Sequence, residues 1–180
     1  MKRASIVIIL LLSFLVFSCN RIKLRRSVDA IMNSKIHLPE TVLMVDSQTV
    51  QPLCLDSLHI SKYLIHIDSS ACSQCKISEF IIYQKLFELS RSSNKFVPII
   101  LLTPKANQVD GTIEHLIQTD WDFPVYVDSG LAFGRLNPVI PNDNRLHSVL
   151  IDNNNNPILI GDPIANSQIM DMLNDYIYNK

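Results

Sequence analysis

Glycine, cysteine and tryptophan are all scarce in this chain of 180 residues, which contains four glycines, four cysteines and one tryptophan. So few glycines provide no glycine-rich loop of the kind that cradles a phosphate. Four cysteines are too few for a scaffold built from disulfides, so each cysteine has to be interpreted separately. The sequence also lacks an internal repeat, which argues against a solenoid.

A long basic stripe is also absent, and the formal net charge is only −1. Six of the 16 basic residues lie within the first 26 residues, where there is no acidic residue, so residues 27–180 carry a balance of −7. Nucleic-acid binding is therefore not expected. The chain divides into a basic, apolar front and a mildly acidic body that is large enough for one hydrophobic core.

The front of the chain has the layout of an export signal. Lys2 and Arg3 precede a 14-residue apolar run, Ala4–Phe17, and the small residue Ser18 follows. This order predicts a secretory signal peptide over residues 1–18. The run is short for a membrane-spanning helix, which needs about 20 apolar residues. We therefore do not expect a cytoplasmic protein.

The stretch Val16-Phe17-Ser18-Cys19 resembles the bacterial lipobox. The resemblance implies that Cys19 is lipidated and becomes the new N-terminus after cleavage, which would attach the protein to a membrane. The alternative is an ordinary signal peptide with an incidental cysteine. By the same resemblance, Asn20 favours the outer membrane, and the lack of an acidic cluster after Cys19 favours its periplasmic side. We expect a lipidated tether and a short helix over residues 19–40, with the helix ended by Pro39.

Residues 41–180 alternate between segments of strand and helix character. The pattern predicts an α/β fold, in which a mixed sheet is flanked by helices and followed by a C-terminal β-hairpin and a closing helix. Pro98 is awkward within its strand because it removes a ladder donor. Predicted strands are Thr41–Asp46, Tyr63–Asp68, Lys95–Leu102, Pro124–Val127, His147–Ile151 and Pro157–Ile160; predicted helices are Cys75–Ser90, Val109–Thr119, Gly130–Leu136 and residues 165–178.

The pair Cys72-Ser73-Gln74-Cys75 lies where a buried strand turns into a helix. The first turn of a helix has free N–H groups and a partial positive charge, which stabilise a thiolate. Lys76 adds positive charge nearby. We therefore expect Cys72 to be the attacking thiol and Cys75 to resolve the mixed disulfide.

The element order and this motif together resemble the thioredoxin-like fold, particularly the membrane-tethered, TlpA-type oxidoreductases, over about residues 40–180. Uncharacterised bacterial lipoproteins of this fold are also similar, through Leu146–Asp152 and Gly161–Ile164. The resemblance implies a lipid-anchored thiol–disulfide oxidoreductase of the bacterial envelope that acts on protein thiols or disulfides and needs no cofactor.

The resemblance also implies further site residues. Thioredoxins carry a buried acid six residues before the first cysteine as a proton acceptor, and here that position is His66. His66 shares a strand face with Asp68 and titrates near neutral pH; the alternative is a hydrogen-bonded core histidine. The family's cis-proline position aligns with Leu146, so Leu146, His147 and Lys76 are expected to contact substrate. Ala71 stands where the family usually has an aromatic residue.

Other interpretations stay open. The domain could be a non-catalytic binding or accessory module whose dithiol is a structural disulfide. A peroxidase is weaker, because Ser69 replaces the threonine that would support a peroxidatic cysteine. Cys54, between two leucines, is expected to be a small buried residue, or else the partner of Cys72 or Cys75 in a regulatory disulfide. No metal site is predicted, because a single C-x₂-C pair needs two further ligands and only His66 and His147 are plausible.

Overall fold

The computed structural model describes residues 21–47, 49–68, 77–119 and 121–179. Seven strands in these ranges form one sheet, in the order β2-β1-β5-β4-β3-β6-β7. The strands are β1 (Val42–Val45), β2 (Val50–Leu53), β3 (Ser61–Ile67), β4 (Phe96–Leu102), β5 (Val125–Val127), β6 (Ser148–Ile151) and β7 (Pro157–Ile160). The helices are α1 (residues 21–32), α2 (Gln84–Ser93), α3 (Val109–Gln118), α4 (Phe133–Leu136) and α5 (Ser167–Tyr178).

The sheet is mixed, as the sequence predicts. Strands β3, β4 and β5 run parallel to one another, whereas β1, β2, β6 and β7 pair antiparallel with their neighbours. The closing hairpin is β6–β7, and α5 follows it. The predicted α/β architecture is therefore confirmed.

Two hydrophobic clusters cover the two faces of the sheet. Successive side chains of a strand point to opposite faces, so Tyr63 and Ile65 enter the first cluster while Leu64 enters the second. The first cluster receives α2, α3 and α5, and the second receives α1 and α4. Because both faces are buried, the central strands read as continuous apolar runs in the sequence.

Pro98 lies inside β4 and opposite Tyr63 of β3. Pro98 and Leu102 are an even number of residues apart, so their backbone polar groups point to the same edge of β4. The Leu102 carbonyl accepts the N–H of Asp128, so this edge faces β5. The described β5 pairs only with Leu101 and Leu102. The missing N–H of Pro98 therefore points to an edge where β4 has no ladder partner at that level among the described residues, and the strand continues through it.

Strand β2 was not predicted. Its residues Val50, Gln51 and Pro52 are exposed, and it pairs with β1 at the edge of the sheet. An edge strand with solvent on both faces has no alternating apolar pattern, and an edge tolerates proline. The sequence therefore carries little sign of it.

Two expectations about helices are wrong in detail. Helix α1 ends at residue 32 rather than at Pro39, and the side chains of Asn33 and Ser34 bond back to the carbonyls of Asp29 and Ala30 at 2.7 and 2.8 Å. The spacing of apolar residues in the predicted helix Cys75–Ser90 would place Ile81 on its buried side with Phe80 and Phe87, but Ile81 is 52% exposed. The segment Phe80–Tyr83 is a 3₁₀ helix, whose three residues per turn change the phase before α2 begins.

The segment after α1 is packed against the domain. Ile31, Ile36 and Leu38 are buried in the second cluster, and the Ile36 N–H donates to the carbonyl of Asn155 at 2.9 Å. Residues 31–38 thus share the core of the sheet. The domain boundaries at residues 18 and 40 stay predictions.

Gly161 ends β7 with a φ of +122°, a conformation that side chains rarely adopt. A Cβ at this position would lie 3.0 Å from the Ile169 side chain of α5. The Gly161 carbonyl also accepts the buried Tyr63 hydroxyl at 2.7 Å. The close approach of α5 to the hairpin therefore depends on glycine here.

We predict that Gly161→Ala lowers the free energy of unfolding by about 1–3 kcal/mol, through backbone strain and overpacking. Gly111→Ala is the matched control, since a Cβ at Gly111 in α3 meets nothing within 4 Å. Alanine there is expected to be neutral or to stabilise by about 0.5–1 kcal/mol. Urea unfolding of both variants checks the pair, and equal effects of the two substitutions would contradict the assignment.

Candidate functional site

A cavity of about 370 Å³ opens at the carboxyl end of β3. Its walls come from the end of β3, from the helical segment after residue 77, and from the chain around β6 and the turn after β7. Residues lining it include Ile65, His66, Ile67, Asp68, Glu79, Phe80, Ile82, Tyr83, Asn144, Arg145, His147, Ser148, Asp162 and Ala165.

Three neighbouring parallel strands bring polar side chains to this end of the sheet. His66 lies near the end of β3, Thr103 directly follows β4, and Asp128 directly follows β5. The carboxyl ends of parallel strands meet at one edge of a sheet, which is why residues distant in sequence come together there. Backbone hydrogen bonds extend the parallel pairing by one residue beyond these strands. The Thr103 N–H donates to the Ile67 carbonyl and the Asp128 N–H to the Leu102 carbonyl, both at 2.8 Å.

His66 is 8% exposed, and its Nε2 lies 3.0 Å from the Thr103 hydroxyl oxygen. Thr103 in turn donates a long hydrogen bond of 3.5 Å to the Oδ2 of Asp128. A hydroxyl has one proton, so Thr103 must accept from His66 Nε2–H. The network therefore assigns the neutral His66 proton to Nε2 and leaves a lone pair on Nδ1.

Asp128 is fully buried at the end of this network. Its Oδ2 also accepts the Phe133 N–H at 2.8 Å, which ties the start of α4 to the site. Its Oδ1 has no hydrogen-bond partner among the described residues. Asp128 thus positions Thr103 by accepting its hydroxyl proton at Oδ2, while the buried Oδ1 stays unsatisfied among the described residues.

The pKa of His66 is lowered to about 4, chiefly because burial penalises the imidazolium and secondly because His147 lies nearby. The charge of Asp68 opposes the shift without cancelling it. The His66 ring is 4.5 Å from the Phe133 ring and 5.5 Å from the His147 ring, between centroids. His66 is therefore neutral at physiological pH, and the expectation that it titrates near neutral pH is wrong because the site buries its ring.

His147 is 7% exposed and lines the same cavity. Its Nε2 lies 3.0 Å from the Pro141 carbonyl oxygen, which can only accept, so Nε2 carries a proton. The backbone carbonyl of His147 accepts the backbone N–H of His66 at 2.8 Å. Two histidines are thus held side by side by β3 and by the turn before β6.

The opposite wall is built around Tyr83 and Asp162. The Tyr83 hydroxyl donates to Asp162 Oδ2 at 3.0 Å, and Asp162 Oδ1 accepts the Ile164 N–H at 2.8 Å. Burial first, and then the Asp162 carboxylate, raise the pKa of Tyr83 far above its usual range. This wall therefore presents a fixed, protonated phenol and a carboxylate whose two oxygens both accept hydrogen bonds.

The structure brings some of the predicted site residues together. His66 and His147 line the cavity, whereas Leu146 is buried in the second hydrophobic cluster, because the 3₁₀ turn Asn144–Leu146 directs it inward. Cys19, Cys72, Cys75 and Lys76 lie outside the described residues. Cys54 is exposed rather than buried, which corrects the expectation from its leucine neighbours.

Thr103, Tyr83 and Asp162 were not identified from the sequence. Thr103 could have been found from its place directly after a buried parallel strand, where ligand-contacting residues concentrate. Tyr83 and Asp162 are 79 residues apart, and no local pattern joins them. Their meeting depends on the packing of the Phe80–Tyr83 turn against the end of β7.

Two further observations concern the ranges that the structure describes. No three His, Cys, Asp or Glu side chains there come together in a group that could hold a metal ion. No helix in those ranges has the length and apolar character needed to cross a membrane.

Comparison with known proteins gives likeness at the level of structure. No protein-family model matches the chain, and no curated protein does. One similar crystal structure is of a Chlorobium tepidum protein assigned as thiol:disulfide interchange protein DsbE, with a TM-score of 0.53 and 18% identity over 81% of this chain and 98% of that one. Another is the thioredoxin domain of a thiol-disulfide oxidoreductase from Bacteroides vulgatus, with a TM-score of 0.53 and 10% identity over 80% of this chain and 98% of that one. The chain therefore has a thioredoxin-like fold, as predicted.

The shifted pKa of His66 makes stability depend on pH in a defined window. The unfolded histidine binds a proton near pH 6.5, but the folded one does so only near pH 4. The contribution of neutral His66 to the free energy of unfolding is therefore fully present above pH 6.5. It is lost as the pH drops toward 4, by up to about 3 kcal/mol. We predict that His66→Gln, which keeps a donor to Thr103 but does not titrate, makes this dependence shallower.

The measurement is urea unfolding at a series of pH values between 4 and 7. His59→Gln is the matched control, because His59 is exposed, and it should keep the wild-type pH dependence. Identical slopes for the wild type and His66→Gln would show that His66 is not the buried neutral group described above.

Proposed function

We propose that this thioredoxin-like chain is a thiol–disulfide oxidoreductase of the bacterial envelope, anchored through lipid on Cys19 and acting through Cys72 and Cys75. One observation carries the catalytic part. Asp68 and Phe80, on either side of the segment that contains both cysteines, line the same cavity. In the sequence, these two lining residues lie within a few positions of the pair, and Asp68 directly follows the strand that holds the buried neutral His66.

The two structural neighbours support the proposed thiol–disulfide activity. Both are described as thiol–disulfide proteins, and each is matched over almost its whole length. We extend that activity to this chain because it has a C-x₂-C pair in the segment that follows β3, and the end of β3 lines the cavity. Protein thiols or disulfides of the envelope are the proposed partners, and the proposed location is the periplasmic side of the outer membrane.

The proposed reaction balances as a two-electron exchange. The Cys72 thiolate attacks one sulfur of a substrate disulfide, and the other sulfur leaves as a thiolate that takes up a proton. Cys75 then loses its proton and attacks the Cys72 sulfur, which releases the second substrate thiolate. The substrate is reduced to a dithiol, and a Cys72–Cys75 disulfide remains; the reverse sequence oxidises a substrate.

His66 is the proposed acceptor of the Cys75 proton. Its Nδ1 has the available lone pair, because Thr103 holds the Nε2 proton. A pKa of about 4 makes His66 a weak base, so it would hold the Cys75 proton only transiently and pass it on to the departing substrate thiolate. His147, Lys76 and Leu146 are proposed substrate contacts; since Leu146 is buried, its contribution would come from its backbone.

We predict that Cys72→Ser abolishes reduction of insulin by the full-length chain in detergent with dithiothreitol as electron donor. Cys54→Ser is the matched control, since Cys54 is an exposed, free cysteine in the described structure, and it should keep the wild-type rate. A wild-type rate no higher than that of Cys72→Ser would reject the oxidoreductase. That result would favour the alternative function, a binding or accessory module with a structural disulfide.

We predict separately that lipid attachment requires Cys19. Expression with radiolabelled palmitate should label the wild type and Cys54→Ala, whereas Cys19→Ala should lose the label and keep its uncleaved signal. Label retained by Cys19→Ala, or absent from the wild type, would contradict the anchor without bearing on the redox activity.

A further inference from the structure

A second cavity, of about 500 Å³, lies beside α1 and away from the cysteine motif. Its lining includes apolar carbons from Ile22, Ala30 and Val139 and two basic side chains, Lys23 and Arg26. Its volume falls within the range that small-molecule sites occupy. We name this feature the α1 groove.

The α1 groove is strongly cationic. Arg21, Lys23, Arg25 and Arg26 are all exposed, and none of them forms an ion pair with another described residue. Asp29 is the single acidic residue of α1, so the helix carries a net charge of +3. In contrast, residues 27–180 together carry −7. The groove is therefore a local positive site on an acidic domain, and it complements an anionic ligand.

Apolar surface accompanies the charge. The inner side of α1 packs into the second cluster through Leu24, Val28 and Ile31. Ile22 is on the outer side, 49% exposed, and forms part of the groove wall. A ligand that fits both properties has an anionic head next to an apolar stem, which is the chemistry of a phospholipid.

Sequence position favours a membrane lipid over a soluble anion. Residue 21 follows the apolar run Ala4–Phe17 and the proposed lipid site Cys19 by only a few residues. Whichever of these enters the bilayer, α1 begins within a few residues' reach of the headgroups. Basic residues in such a position gain about 1 kcal/mol each from an anionic leaflet.

We propose that the α1 groove binds the headgroup of an anionic phospholipid, with Lys23 and Arg26 on the phosphate and with Ile22 and Val139 against the start of the lipid's apolar part. The proposal rests on the membrane anchoring proposed above but not on the redox activity.

Binding of a lipid headgroup in the α1 groove would also orient the domain. Val139 lines the groove, and Pro141, two residues on, accepts the His147 Nε2–H of the redox cavity. Their Cα atoms are at most about 7.6 Å apart, so a docked groove would hold the redox cavity next to the membrane surface.

The test uses the full-length chain in nanodiscs of phosphatidylcholine with or without phosphatidylglycerol. The readout is amide hydrogen exchange of residues 21–32 and of Asn137, Val139 and Ile140, which carry the backbone N–H groups of the segment around Val139. We expect phosphatidylglycerol to slow exchange of both segments. Lys23→Gln/Arg26→Gln should weaken phosphatidylglycerol binding by roughly 30-fold, from about 1 kcal/mol for each basic residue, and so abolish protection at lipid fractions that protect the wild type by half. The control Lys85→Gln/Lys105→Gln removes the same charge from exposed positions elsewhere and should behave as the wild type.

The outcomes separate the possible explanations. Equal exchange in the two lipid compositions, with the chain retained in the discs, would overturn the headgroup site and leave the anchor intact. Protection by inorganic phosphate in pure phosphatidylcholine discs, or by an oligonucleotide in place of phosphatidylglycerol, would also overturn it in favour of a different anion. A chain that stays with neither type of disc would contradict the anchoring as well. Exchange needs no turnover, so an inactive dithiol cannot produce any of these results.

Discussion

The burial of β3 on both faces and along both edges is the constraint on which the rest of the structure depends. Residues 61–66 are buried without interruption, with β4 parallel on one side and β6 antiparallel on the other. A polar group in such a place must have a partner, or its burial costs free energy. His66 meets that requirement through Thr103, which meets its own through Asp128. The sheet that buries His66 therefore also sets its tautomer and keeps it neutral.

The second hydrophobic cluster connects the cavity to the N-terminal helix. Ile31 of α1, Phe133 of α4 and Leu146 before β6 all belong to it. Phe133 also contacts the His66 ring and gives its N–H to Asp128, so one residue joins the core to the polar network. Helix α1 and the polar network are therefore joined through one packed layer of side chains.

Much of the architecture could be predicted, and the errors have physical reasons. Buried parallel strands leave continuous apolar runs, and an asparagine-rich turn between two such runs indicates a hairpin, so β3, β4, β6 and β7 were found. Strand β2 was missed because an exposed edge strand has no apolar period. Ile81 was misplaced because a 3₁₀ turn shifts the helical phase. Cys54 was misplaced because two leucine neighbours do not determine burial when the segment lies at the edge of the sheet.

The sequence by itself determined the order of elements apart from the edge strand β2, the position of the dithiol after a buried strand, and the charge division between front and body, because all of these can be read from residues close together in the chain. Only the tertiary structure decided which polar groups share the site. Thr103 lies 37 residues from His66 and 25 from Asp128, and they meet only because three strands pair in parallel register. Leu146 turns inward while His147 lines the cavity for the same kind of reason, since the direction of a side chain depends on what packs behind it. The registers and contacts come from long-range burial, which no local pattern of residues encodes.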